Sequence, residues 1–514
     1  MTVIRTHEPT SQLYRGAVSM SINLALQTGT QKYPAKHNCR LVASLLPRHS
    51  SALIYLPSAV SRNYENSDQT RPFRQRRDFQ YLTGCSLPDC SVAYDVQTDL
   101  LTLFIPPLNP KTVLWSGLPM SPEEAKKKYD VDRVLTTFDE LEFLDSWRRE
   151  EWRCNATIYS WPNVLPFENV DTTCLPAAVG ACRVIKTPQE IALIRKANEV
   201  TTAAHIKILK NLPWATNEAD LEGVYIAECI KNFAKNQAYE PIVGCGTNAA
   251  ILHYTKNDTP IDKSNLLLVD AGAEWEGYAA DVTRTFPISG HWTKEQKQIH
   301  DIVEKMQEEC IKRCVPGTDF RGLYDLAHKI GTEGLIELGI LKGDLETVLR
   351  LGTSKAFFPH GLGHMVGLDV HDVDSASLKA RNLTGASAIS KHLPVKRCES
   401  GIEAPRRINR VAPRGLEPGM VVTIEPGIYF QRFIIEPYLK SPVHGEVIDK
   451  EVLEKFWAVG GVRIEDDILI TREGNENLTT TPKGEEMLKI IREAWKVKEK
   501  EDKEMAEREA ERHF

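Results

Sequence analysis

The stretch NLLLVDAGAEWEGYAADVTRTFPI, residues 265–288, reads as two apolar runs joined by the short link Trp275-Glu276-Gly277. A link this brief has no room for a parallel crossover, so the two runs pair antiparallel. Each brings an acid among residues that belong in a core. Asp270 ends LLLV, and Asp281 lies on the returning strand. A carboxylate in such a place is costly unless it is paired or bound to a metal.

The same pattern recurs further along the chain. Glu425 follows VVTI in MVVTIEPGIYF (420–430), and Glu465 follows VRI in VRIEDDILIT (462–471). Between the hairpin and these two runs FFPHGLGHMVGLDVHD (357–372) holds His360, His364 and His371, and upstream of the hairpin AAILHYTKND (249–258) holds His253. One acid in an apolar strand is more often salt-bridged, and one histidine more often structural. Four acids with an imidazole in a glycine-rich segment instead match what a pair of hard divalent cations requires: anionic oxygen ligands, some of them bridging, and few neutral donors.

Around these runs the pattern is of helices and strands in alternating blocks, an α+β catalytic half. TPQEIALIRKANEVTTAAHIKIL (187–209) opens a helix with a capping box at Thr187 and Glu190 and Pro188 at its first position. TNEADLEGVYIAECIKNF gives a second helix. TKEQKQIHDIVEKMQEECIKRCVPG gives a third, capped by Thr293 and Gln296 and ended by Pro316 and Gly317. Residues 1–183 read as a smaller mixed α/β domain, with strands such as SALIYL and LLTLFIP and no catalytic pattern. The catalytic domain is expected over 184–490, interrupted at 374–414 by a polar, basic insertion, and 491–514 is expected to be a charged, solvated tail.

Composition sets the outer limits. The chain has 514 residues, 42% hydrophobic and 26% charged, with a formal net charge of -6, so no basic field attracts nucleic acid or an anionic membrane. The eleven cysteines form no CxxC pair, which fits reduced thiols; Cys310 and Cys314, one helical turn apart, read as ordinary helix residues. No basic leader precedes an apolar stretch at the amino terminus and no window is long and apolar enough to span a bilayer, so a cytoplasmic protein is expected, and the sequons at Asn155, Asn257, Asn382 and Asn477 are chance matches.

Taken together, VDAGAEWEGYAADVTRTFP, HGLGHMVGLDVHD, TIEPGIYF and GGVRIEDDILIT resemble the pita-bread metallopeptidases, in their branch of Xaa-Pro aminopeptidases and prolidases. The order Asp, Asp, His, Glu, Glu is the family's. PFRQRRDFQYLTGCSLPD (72–89) resembles the non-catalytic domain that precedes the peptidase in that branch and is missing from methionine aminopeptidases.

The resemblance implies two manganese ions per subunit, with cobalt or zinc as substitutes, on Asp270, Asp281, His364, Glu425 and Glu465. It further implies attack by a metal-bridging hydroxide on the bond before proline, with Glu425 as general base and His371 at the carbonyl oxygen. His253 and His360 would surround the leaving proline, while Tyr429 and Arg463 orient ligands or intermediate. The expected partners are peptides with proline in second position and a second copy in a homodimer. A prolidase limited to Xaa-Pro dipeptides is the alternative, since the GLGH motif and the segment after FQRFIIEPYL look like eukaryotic prolidases. Such an enzyme needs a cation for the substrate carboxylate, and the insertion offers Arg406, Arg407, Arg410 and Arg414. A non-enzymatic relative or a metal-independent creatine-type hydrolase would not be expected to keep the whole ligand set.

Overall fold

The computed structural model describes residues 32–47, 51–150, 153, 156–167, 169–373 and 415–512. The 374–414 insertion and its four arginines lie outside the described residues. The chain divides into two compact units, Met1–Cys182 with Pro188–Ala192, and Arg183–Thr187 with Leu193–Phe514.

The first unit is built on a mixed six-stranded sheet. Its strands are β1 (Ala52–Pro57), β2 (Ser91–Asp95), β3 (Leu100–Ile105), β4 (Arg133–Thr136), β5 (Thr157–Tyr159) and β6 (Val170–Asp171), in the order β4-β3-β2-β1-β5-β6. The three central strands are antiparallel neighbours, and β4, β5 and β6 join in parallel. Leu53, Tyr55, Ala93 and Phe104 of this sheet pack with Leu144 and Trp147 from the helix Glu140–Arg149.

The second unit carries short antiparallel strands with helices against them. β7 (Asn236–Gln237) pairs β10 (Ala273–Trp275), which turns at Glu276 and Gly277, both at positive φ, into β11 (Tyr278–Ala279). β8 (Ile242–Cys245), β9 (Leu266–Asp270) and β12 (Thr283–Pro287) form a second sheet with β9 central. β13 (Val421–Ile424), β16 (Asp466–Ile470) and β17 (Asn475–Asn477) form a third, and β14 (Gly427–Tyr429) pairs β15 (Gly461–Arg463).

Two apolar cores follow from side-chain alternation along these strands. Leu267, Val269 and Phe286 face Val200, Ala204, Leu221 and Tyr225 of the helices Pro188–Asn211 and Glu218–Lys231. Val422, Ile424, Ile468 and Ile470 pack with Ile299, Val303 and Met306 of the helix Lys294–Arg313 and with Phe320, Leu323 and Ala327 of the helix Phe320–Glu337. The Thr293–Gln296 capping box is formed as expected. Cys310 and Cys314 are both fully buried, and burial pushes the Cys310 thiol up to about 12, which disfavours its thiolate.

Two expectations change. The carboxyl-terminal helix runs unbroken over Gly484–Arg512, and Ile491 and Ala494 are buried in the core, so the solvated tail starts later than residue 491. Asp281 is not in a ladder: it falls between β11 and β12, and its N–H donates to Asp467 Oδ2 at 3.0 Å. Glu425 and Glu465 likewise sit at strand breaks, after β13 and between β15 and β16. A break lets each carboxylate leave the regular pleat and turn toward a common centre.

Candidate metal centre and the residues around it

Strand register assembles the centre. Asp270 lies opposite Thr283 in the β9–β12 ladder, and Thr283 in turn bridges to Glu465. Gly427 lies opposite Arg463 across β14 and β15. The histidine segment is pinned to β13 from the other side: the His364 N–H donates to Thr423 Oγ1, the Thr423 N–H to the His364 carbonyl, and the Glu425 N–H to the Leu362 carbonyl. Gly363 is what permits this approach, because a Cβ there would lie 2.0 Å from the Thr423 carbonyl oxygen.

The acids converge on one imidazole. His364 Nε2 is 3.4 Å from Asp281 Oδ2 and 3.5 Å from Glu425 Oε1, and one ligand atom each from Asp281, His364 and Glu465 lies within 4.8 Å of the others. His364 Nδ1 faces the Met365 carbonyl at 3.1 Å, so an Nδ1–H donates there and Nε2 keeps its lone pair toward the carboxylates. Burial holds this imidazole down at about 4, in its neutral form.

Asp270, Asp281 and Glu465 are 7%, 5% and 2% exposed. Burial, and then the charge of their neighbours, raises the Asp281, Glu425 and Glu465 carboxyls well above the usual carboxylate range. Among the described residues the guanidinium of Arg463 faces the acids, with NH2 2.5 Å from Asp270 Oδ2. Protein cations thus leave the cluster short of the positive charge that its carboxylates need, and the oxygen-rich donor set around the His364 imidazole fits hard divalent ions.

Hydroxyls supply the rest of the frame. Thr283 Oγ1 donates to Glu465 Oε2 at 2.6 Å and accepts from Arg463 Nε at 3.2 Å. Arg463 NH1 donates to the Tyr429 hydroxyl at 3.0 Å, and that hydroxyl reaches His360 Nε2 at 2.8 Å. His360 Nδ1 faces the Gly361 carbonyl at 2.8 Å, so both its ring nitrogens are engaged. His371 places its ring 4.1 Å from that of His364, edge to face. Nine of the ten expected residues are therefore brought together. His253 is the exception: it is exposed, in the loop after the 3-10 turn Gly246–Ala250, with no bond to the cluster.

Sequence reading missed three supports. The Tyr239 hydroxyl lies 2.6 Å from both Asp270 Oδ1 and Asp281 Oδ1. Asp467, buried and pushed up to about 7, accepts from the Asp281 N–H and from Asn198 Nδ2. Asp372, beside His371, accepts from Lys186 Nζ at 2.8 Å and Arg183 NH2 at 2.7 Å, fixing the end of the histidine segment. A second acidic grouping, His300, Asp301 and Glu304, is already met by Lys297 on Asp301 and is a surface ion pair. Among the described residues no helix is long and apolar enough to cross a membrane, and the nine described cysteines form no disulfide with one another.

Comparison with known proteins places this geometry. The model of metallopeptidase family M24 matches residues 192–472, and that of the aminopeptidase P N-terminal domain matches 35–151. A protein of Phaeosphaeria nodorum named "Probable Xaa-Pro aminopeptidase PEPP" is 47% identical over 463 residues, 88% of this chain and 95% of the relative. A protein of the same name from Botryotinia fuckeliana is 46% identical over 468 residues, 90% of this chain and 98% of the relative. Among solved structures, aminopeptidase PepP of Pseudomonas aeruginosa superposes with a TM-score of 0.72 at 28% identity, covering 90% of this chain and 99% of that one. Aminopeptidase P of E. coli with the inhibitor Pro-Leu gives 0.71 at 29%, covering 91% and 100%. The likeness extends over both halves, and the pita-bread fold comes with its amino-terminal domain: the chain belongs to metallopeptidase family M24, in its aminopeptidase P branch.

Proposed function

We propose that this protein is a metal-dependent exopeptidase that releases the first residue from peptides with proline in the second position. The observation that carries this reading is the set of four carboxylates, Asp270, Asp281 and Glu465 buried and Glu425 partly so, with the neutral, inward-facing His364 Nε2, opposed among the described residues by the guanidinium of Arg463. Asp270, Asp281, His364, Glu425 and Glu465 are the residues that would hold the metal. The deficit of positive charge suits two ions, manganese by preference, with cobalt or zinc as substitutes; a zinc-substituted E. coli aminopeptidase P in complex with product is among the similar structures. When bound, the ions would acidify the attacking water and polarise the scissile carbonyl.

The chain's own groups divide the remaining work. Glu425, whose Oε1 faces His364 and whose Oε2 faces His360 Nδ1 at 3.7 Å, takes the proton released during attack. His371, half-buried beside His364, donates to the carbonyl oxygen as negative charge develops there. Arg463 and Tyr429 hold Asp270 and His360 in place, and the His360 ring stands beside the leaving proline. His253, exposed on its loop, meets the proline side of the substrate. Proline's tertiary amide and fixed φ exclude it from general clefts, which gives a dedicated site its use.

The named relatives favour the aminopeptidase over the prolidase reading. An Xaa-Pro-Xaa tripeptide assayed beside an Xaa-Pro dipeptide, with manganese, separates the two: turnover of the dipeptide alone would reverse the assignment. That the described cysteines form no disulfide with one another supports a reducing, cytoplasmic location, and light scattering at working concentration would test for the expected homodimer.

A further inference from the structure

A carboxylate that the chemistry does not use holds the loop of His253. Glu218 is the first residue of the helix Glu218–Lys231, next to its cap Asn217, and is fully buried. Its charge is met by four donors from three places along the chain. Oε1 accepts from the Cys245 N–H at 2.7 Å and from Asn248 Nδ2 at 3.0 Å. Oε2 accepts from the Tyr254 hydroxyl at 2.8 Å and the Thr259 N–H at 2.9 Å. Asn248 Nδ2 also reaches the Tyr254 hydroxyl and Thr259 Oγ1, both at 3.0 Å, so the end of β8, the 3-10 turn and the far limb of the loop meet at one point.

His253 lies between these anchors. Tyr254 is 7% exposed and turned inward to Glu218, while its neighbour His253 is exposed. The 3-10 turn from which the loop leaves rests against β15, the strand that ends at Arg463. A Cβ on Gly461 would come within 2.2 Å of the Ala249 carbonyl oxygen, which shows how closely turn and strand pack. The turn is thus wedged between Glu218 and the strand whose arginine holds Asp270.

We infer that Glu218 is a positioning residue for proline recognition: by fixing residues 245–259 it sets where His253 stands at the proline side of the cleft. The inference rests on the proposed role of His253. A carboxylate suits this task because it is an acceptor at both oxygens. Glutamine has the same shape, but its NH2 would face two donors, and the loop would be held at one oxygen only.

The test uses the full chain loaded with Mn(II), an Xaa-Pro-Xaa tripeptide as substrate, and the dipeptide Pro-Leu as a binding probe in calorimetry. Glu218→Gln is expected to raise both KM and the Pro-Leu Kd about tenfold, with kcat changed less than about threefold and bound metal unchanged. His253→Ala should do the same, and the double variant should be no worse than the more impaired single. Effects that multiply in the double variant, a fall in kcat at constant KM, or unchanged Pro-Leu binding in Glu218→Gln would each overturn the inference. If His253→Ala weakens Pro-Leu and Glu218→Gln does not, only the inference falls; if His253→Ala leaves Pro-Leu binding intact, the reading of His253 falls with it. Should Glu218→Gln not fold, Tyr254→Phe removes one of the four donors, with a rise of about threefold expected and no rise refuting.

Discussion

Asp372→Asn removes the anion from a buried ion cluster while preserving shape. Lys186 and Asp372 side chains are each 1% exposed, and Arg183 closes the group. Burial alone would raise the Asp372 carboxyl, but the charges of Lys186 and Arg183 outweigh it and hold it at about 2, against 3.8 ordinarily. A depressed folded-state pKa stabilises above the unfolded value and loses that stabilisation as pH falls through the folded one. The shift corresponds to about 2.5 kcal/mol at neutral pH, of which about half is gone at pH 3. The variant also strands Lys186, so the whole cost at pH 7 should be about 3–5 kcal/mol. Urea unfolding followed by tryptophan fluorescence, wild type against variant at pH 7 and pH 3, reads both quantities. A difference under about 1 kcal/mol at pH 7, or one that does not shrink toward pH 3, would refute the reasoning.

Other expectations follow from the centre itself. His364→Ala should lose most of its bound metal and all measurable turnover; elemental analysis after dialysis checks this, and full metal retention would contradict the ligand role. Glu425→Gln should lower kcat by about 10²–10⁴, as loss of a general base does, and a kcat within tenfold of wild type would exclude Glu425 from proton transfer. Tyr239→Phe, which frees Asp270 and Asp281 from their shared hydroxyl, should weaken Mn(II) binding by about tenfold or more in a calorimetric titration.

Much of this was legible in the sequence because it is encoded locally. The turn at Glu276 and Gly277, the Thr293–Gln296 cap and the acids that end apolar runs each lie within a window of a few residues. What escaped was set by distant partners. Tyr239 meets Asp270 and Asp281 from 31 and 42 residues away, and Asn198 meets Asp467 from 269. Asp281 reads as a strand residue from its neighbours, yet buried Asp467 takes its N–H and draws it out of the ladder. That the Tyr429 hydroxyl and the Gly361 carbonyl meet the His360 nitrogens is likewise set by the fold and not by its neighbours in sequence alone. Periodicity reports which face is buried, whereas the pairing of polar groups across a core depends on the finished topology.

On the proposed function, the acid cluster holds the divalent metal that cuts the bond before proline. The decisive measurement is release of the first residue from an Xaa-Pro-Xaa tripeptide by Mn(II)-loaded protein, repeated after chelation and dialysis. Turnover by the loaded protein is expected, with its loss on metal removal, its return when Mn(II) is restored, and no cleavage of a matched peptide lacking proline. Failure of the loaded protein to cleave the tripeptide, or undiminished cleavage after metal removal, would contradict the proposed function.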